Sequence, residues 1–272
     1  MLLREVEYAR PESVDEAVRL LSSGDNARPL AGGQSLVNVM KVRVASPDVV
    51  VDLGRIPELR MIRSADGSLE LGAMVTYAEL ISSEEVRSAR PILGEVAETI
   101  ADVQVRNRGT VGGNICSNDP TNHLPPLLAA LEATMTIRAA ESERTVTAEE
   151  FFEGVFVTAV SPGELLTKVT IPPRAQGQGD AFASHPVGKD GTGIVNVAAS
   201  VQGGNARIAI GCVSATPVVL TVAADEVEVR DAVRSAGLDP PSDVHASADY
   251  RRHLAEVLAA RAIAQALEKS SD

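Results

Sequence analysis

Two glycine pairs are the residues in this chain best suited to chemistry: Ala31-Gly32-Gly33-Gln34-Ser35 and Thr110-Val111-Gly112-Gly113-Asn114. Each follows an apolar run and ends in small polar side chains. Paired glycines remove the Cβ atoms that keep a phosphate away from backbone N–H groups, and Ser35, Thr110 and Asn114 can add side-chain hydrogen bonds. Leu36 to Met40 is predicted as a short helix whose N-terminus faces the anion. A lone Gly-Gly pair is better read as a tight turn. Two pairs, each after a buried-looking segment, read as two halves of one dinucleotide clamp. Neither has the G-x-G-x-x-G spacing, so an ordinary Rossmann crevice is not indicated.

Composition narrows the classes of function. The 272 residues can bury a substantial core in two domains or one large one. Net charge is −12, which disfavours nucleic acid and anionic membrane as partners, since both need a positive face. No apolar run approaches the roughly 20 residues that cross a bilayer. The start, Met1-Leu2-Leu3-Arg4-Glu5, carries no apolar signal core, so a cytoplasmic location is the expected default. Cys116 and Cys212 belong to no C-x-x-C or histidine-bearing cluster, and His123, His185, His245 and His253 lack ligand spacing. The chain is therefore expected to hold neither a metal nor an iron–sulfur cluster of its own. Cys116, close behind Gly113, is read as a small hydrophobe rather than a flavin-linking thiol.

The elements that must position the glycine pairs are legible in outline. Ser13-x-x-Glu16 reads as a capping box opening a helix with Val14, Ala17, Val18 and Leu21 on one face, closed by Gly24. Val49 to Leu53 reads as a buried strand, so the first 57 residues form a β-α-β-like unit ending at Ile56-Pro57-Glu58. A second unit, residues 58–173, is predicted with a strand at Leu69 to Ala73 and a capped helix at Thr76-x-x-Glu79. Helices at Pro91 to Ile100 and Pro125 to Leu131 and strands at Ala133 to Arg138 and Leu165 to Ile171 complete it. Pro172 to Asp180, rich in Pro, Gly and Gln, reads as a linker. In the third unit, residues 181–272, Gly203-Gly204-Asn205 signals a hairpin between Ile194 to Val201 and Ala206 to Val213. A helix from about Ala248 to Leu267 covers it, with Tyr250, Leu254, Val257, Leu258 and Ala262 inward and basic residues outward.

Taken together, Ala31 to Lys41, Val51-Asp52-Leu53, Ile56-Pro57-Glu58-Leu59 and Arg106-Asn107-Arg108-Gly109-Thr110-Val111-Gly112-Gly113-Asn114 resemble the FAD-binding medium subunit of molybdenum hydroxylases. The resemblance extends through Phe152-x-Gly154-x-x-x-Thr158 to Tyr250-Arg251-Arg252. It implies an α+β fold: two FAD-binding subdomains of the vanillyl-alcohol-oxidase type, then a C-terminal α+β domain with a small antiparallel sheet and helices. It implies a flavoprotein oxidoreductase subunit that takes electrons from two [2Fe-2S] clusters on a small subunit and passes them through non-covalent FAD to an external acceptor. A large subunit would carry the molybdopterin, and the complex would be a dimer of heterotrimers. A scaffold subunit with a degenerate flavin site, and a stand-alone flavin oxidase, are the alternatives.

The resemblance also assigns residues. Leu30, Ala31, Gly32, Gly33, Gln34, Ser35 and Leu36, with Thr110, Val111, Gly112, Gly113 and Asn114, would hold the pyrophosphate and ribityl region. Backbone near Ala101 and Leu165 would pack by the adenine or the isoalloxazine. No catalytic residue is assigned. Relatives usually carry Asp where this chain has His123, which can hydrogen-bond a hydroxyl but lacks an acceptor-only carboxylate. His123 is read either as a cofactor contact or as a loop histidine, and Asp119 as a contact or a local turn former. Many relatives have a basic stretch over the flavin. Here it reads Phe182-Ala183-Ser184-His185-Pro186-Val187-Gly188-Lys189, where only His185 and Lys189 could supply the charge.

Overall fold

The computed structural model describes residues 3–24, 26–188 and 192–270. Strand Val49–Asp52 lies between Glu7–Ala9 and Ala27–Leu30, all parallel, with Leu30 opposite Asp52. This pairing delivers the chain from Leu30 straight into the first glycine pair. Helix Val14–Ser22 buries Ala17, Val18 and Leu21 against the sheet. Its capping box is only half formed. Ser13 accepts the Glu16 N–H at 3.2 Å, but the Glu16 carboxylate turns back one residue further, to the N–H of Glu12 at 3.0 Å.

The second unit is a five-stranded antiparallel sheet in the order Ile62–Ala65, Ser68–Gly72, Leu165–Ile171, Thr134–Arg138, Glu143–Thr147. The two outer strands were not predicted, because edge strands need no apolar alternation. Glu143–Thr147 is exposed at four of its five residues. The predicted helices occur at Ile92–Glu98 and Leu124–Ala130. Thr76 and Glu79 form a complete capping box on Tyr77–Ser82, with Thr76 N–H donating to Glu79 at 2.7 Å. Such caps contribute about 1 kcal/mol and fix where the helix starts.

A four-stranded antiparallel sheet, Gly179–Val187, Thr192–Gln202, Asn205–Gly211 and Val218–Ala223, follows in sequential order. Gly203 and Gly204 sit at φ 57° and 80°, so both central turn residues need the left-handed region that glycine reaches freely. Asn205 already belongs to the strand, opposite Gln202. Strand Thr192–Gln202 is buried from Gly193 to Val201 because both faces are covered. Val195, Val197 and Ala199 pack under helix Ala248–Ser270, whereas Ala198 and Ala209 join the cluster of helix Leu124–Ala130.

The inward stripe of the long helix differs from the predicted one. It is Leu254, Ala255, Leu258, Ala259, Ala262, Ile263 and Ala266; Tyr250 is exposed and Val257 half-buried. Arg251 is buried rather than outward. Its guanidinium donates to the Ile194 carbonyl at 2.6 Å and to Asp243 at 2.7 Å.

The segment read as a linker is fastened. Gln178 donates to Ser200 Oγ at 2.7 Å, and its Oε1 accepts from Ala175 N–H at 2.8 Å. Asp180 already lies in the first strand of the C-terminal sheet. No helix among the described residues is long and apolar enough to cross a membrane.

Candidate functional site

Tertiary packing brings the two glycine pairs together. A Cβ on Gly32 would lie 2.0 Å from the Arg108 carbonyl oxygen, and one on Gly113 would lie 3.5 Å from the Ala31 Cβ. Gly33 sits at φ 75°. Helix Leu36–Lys41 begins directly behind, and Ser35 at its cap position makes no side-chain capping bond. Val37 N–H is the first amide after Ala31–Gly32 with a backbone acceptor, Gly33 O at 3.3 Å. Among the described residues the N–H groups of Gly33, Gln34, Ser35 and Leu36 meet no protein acceptor. Four successive amides at a helix start, half-exposed or exposed, suit an anion.

The second pair behaves differently from the amide cradle predicted for it. Residues Val111–Ser117 are helix, and the amides of Val111 to Asn114 are already used. Val111 donates to Val75 O at 2.9 Å, Gly112 to Ala73 O at 2.8 Å, and Asn114 to Thr110 O at 3.0 Å. Gly113 donates to the Thr110 hydroxyl at 3.0 Å, because Thr110 is the N-cap. Gly112 is a packing glycine: its Cβ would fall 2.7 Å from Ala73 Cβ and from Ala73 O. Val111 to Asn114 therefore offer shape and the Asn114 side chain, not N–H groups.

Asn114 is the unsatisfied group. Its Nδ2 donates to the Tyr77 hydroxyl at 2.9 Å, while its buried Oδ1 has no partner. An acceptor buried without a donor costs about 1–3 kcal/mol, which a bound donor would recover. Tyr77 was not singled out in the sequence; the Thr76-x-x-Glu79 box located its helix but not its direction. Burial pushes its phenol up to about 12.

The 119–123 turn is tied to this centre. Asn122 donates to Asn114 O at 3.0 Å and so ties the 119–123 turn to the second glycine pair. Asp119 accepts from Thr121 N–H at 2.9 Å and from its hydroxyl at 2.8 Å, an Asx turn that accounts for its residue type. His123 is buried, its ring 5.4 Å from the Phe182 ring, and burial pushes it down to about 4, so it is neutral at pH 7. Asn196, fully buried in the C-terminal sheet, donates to Thr121 O at 3.2 Å and accepts from Ser184 at 2.7 Å.

Ala101 sits at φ 45° with its carbonyl gripped by Arg106 at 2.6 Å. The Leu165 side chain packs in the core cluster with Ala17, Leu53 and Met74. Cys116 packs half-buried against the core, and burial pushes its thiol up to about 12. His185 is exposed, edge-on to Tyr250 at 6.2 Å between ring centres. Lys189 lies outside the described residues.

The profile of the FAD binding domain in molybdopterin dehydrogenase matches residues 4–174, the span that holds both glycine pairs, Tyr77 and Asn114. The chain belongs to this FAD-binding family. Its relatives include the carbon monoxide dehydrogenase medium chain of Afipia carboxidovorans, 36% identical over 98% of each chain. The 6-hydroxypseudooxynicotine dehydrogenase complex subunit alpha of Paenarthrobacter nicotinovorans is 34% identical over 97% of this chain and 95% of that one. Carbon monoxide dehydrogenase from Hydrogenophaga pseudoflava, solved without the Mo-pyranopterin moiety of its cofactor, superposes with a TM-score of 0.94 at 36% identity, over 99% of both chains. The α+β fold is thus that of an FAD-binding medium chain, and the relatives are oxidoreductase subunits of molybdenum hydroxylase complexes.

Proposed function

We propose that this chain is the electron-transferring FAD subunit of a heterotrimeric molybdenum hydroxylase. The observation that carries the reading is the packing of the two glycine pairs against each other, one followed by four unpartnered amides at 33–36 and the other by the orphaned Oδ1 of Asn114: an anion receptor and a hydroxyl receptor. Both fit FAD, whose pyrophosphate is an anion and whose ribityl chain carries hydroxyl donors. When bound, FAD supplies a two-electron store between one-electron iron–sulfur donors and the final acceptor. Gly33 to Leu36 hold the pyrophosphate with backbone N–H groups, Gly32 and Gly113 let the two segments pack closely, and Ser35 adds a hydroxyl. The buried, neutral His123 and Phe182 contribute an uncharged wall.

The partners in this reading are a molybdopterin-binding large subunit and a small subunit with two [2Fe-2S] clusters, assembled as a dimer of heterotrimers. Cluster ligation needs several thiolates, and this chain has Cys116 and Cys212 alone. The relatives are named for substrates as unlike as carbon monoxide and 6-hydroxypseudooxynicotine. Substrate choice therefore belongs to the large subunit.

The test is production of the full chain alone and with its partners. The chain alone should bind one FAD, release it into the supernatant on acid precipitation, and hydroxylate nothing. Hydroxylation should appear on co-expression with the large and small subunits. Turnover of a hydroxylase substrate by the single chain would overturn the assignment.

A further inference from the structure

We propose that Tyr77 is the positioning residue that aims Asn114 at the flavin, an inference that rests on the flavin reading above. An asparagine amide can turn either end toward a ligand, and its oxygen and nitrogen ask for opposite partners. Here Tyr77 holds one end. Its hydroxyl accepts the Nδ2–H of Asn114 at 2.9 Å, which leaves Oδ1 as the end without a partner. The phenol stays protonated and uncharged, so it holds the amide without placing a charge beside a cofactor.

Tyr77 is itself held from three sides. The Thr76–Glu79 capping box fixes the start of its helix, and its own N–H donates to Gly109 O at 3.1 Å. Its ring fills the space a side chain at 109 would take, since a Cβ there would lie 2.6 Å from Tyr77 Cε2. Gly109, Arg108 and Gly32 form one continuous backbone contact, so the residue that orients Asn114 also braces the junction of the two glycine pairs. The ligand class this implies at Oδ1 is a hydroxyl or N–H donor, such as the ribityl hydroxyls, and not a phosphate oxygen.

The experiment titrates the full-length, flavin-free chain with FAD and reads quenching of flavin fluorescence. Tyr77→Phe keeps the ring against Gly109 and removes only the hydroxyl. Its dissociation constant for FAD should rise about tenfold, and the thermal midpoint of the flavin-free chain should fall modestly because the Asn114 Nδ2–H loses its acceptor. In an Asn114→Ala background the same Tyr77→Phe change should add nothing, because no amide remains to orient. Equal losses in both backgrounds would assign Tyr77 a purely structural role and overturn the inference, as would unchanged affinity in Tyr77→Phe. A wild-type chain that takes up no FAD would instead overturn the flavin reading, so the two failures are distinguishable.

Discussion

Gly32 and Arg108 touch backbone to backbone: a Cβ on Gly32 would stand 2.0 Å from the Arg108 carbonyl oxygen and 2.7 Å from its carbon. Neither partner can yield without moving a whole segment. Gly32→Ala should therefore separate the glycine pairs, costing about 1–3 kcal/mol of stability as overpacking, and abolish FAD binding. Gly33→Ala meets only side chains, Val37 and Leu30 at 3.3 and 3.4 Å, but is strained by its φ of 75°. That costs about 1 kcal/mol, with the fold kept and FAD weakened. Thermal midpoints and FAD titrations of both variants check the order; equal stability loss would show that the Gly32 contact is soft.

Arg90 and Asp180 form an ion pair at 3.1 Å with both side chains at most 5% exposed, joining the second unit to the first strand of the C-terminal sheet. Asp180→Ala leaves a buried guanidinium without its counter-charge and should cost about 3–5 kcal/mol. Replacing both partners with apolar residues of similar volume should recover most of that. Denaturant midpoints of the single and double variants measure it, and a double variant as weak as the single one would refute the charge argument.

His123 gives a signed pH dependence. Its folded value is pushed down to about 4 by burial, against an ordinary 6.5, so between those values the unfolded chain binds a proton that the native chain refuses. Stability from this group is therefore complete above about 6.5, is lost as pH falls toward 4, and changes no further below that. The loss is on the order of 3 kcal/mol. His123→Gln should flatten that part of the stability–pH curve by the same amount. Identical slopes for variant and wild type between pH 6.5 and 4 would refute a buried neutral imidazole.

Cys116 and Cys212 both have thiols pushed up to about 12 by burial, so neither supplies a thiolate near neutral pH. Iodoacetamide at pH 8 should leave the native chain unlabelled and modify both after unfolding. Acid precipitation should leave the pellet colourless. Rapid native labelling of Cys116 would reopen the case for a reactive thiol beside the flavin.

The sequence by itself determined what depends on near neighbours along the chain. Gly203-Gly204 dictates a hairpin because two consecutive residues need positive φ, and the Thr76–Glu79 box spans a single helical turn. The glycine pairs were visible for the same reason, since a missing Cβ is a property of the residue. Tertiary structure decided which of their amides remain available. Val75 and Ala73, more than thirty positions away, take the N–H groups of Val111 and Gly112, while Gly33 to Leu36 keep theirs. Arg251 is equally instructive: a charged residue on a long helix reads as solvated, yet Asp243 and the Ile194 carbonyl let it be buried. Periodicity tells which residues prefer water, but a buried polar group is stabilised by a specific distant partner. Only the packed chain supplies the position of that partner.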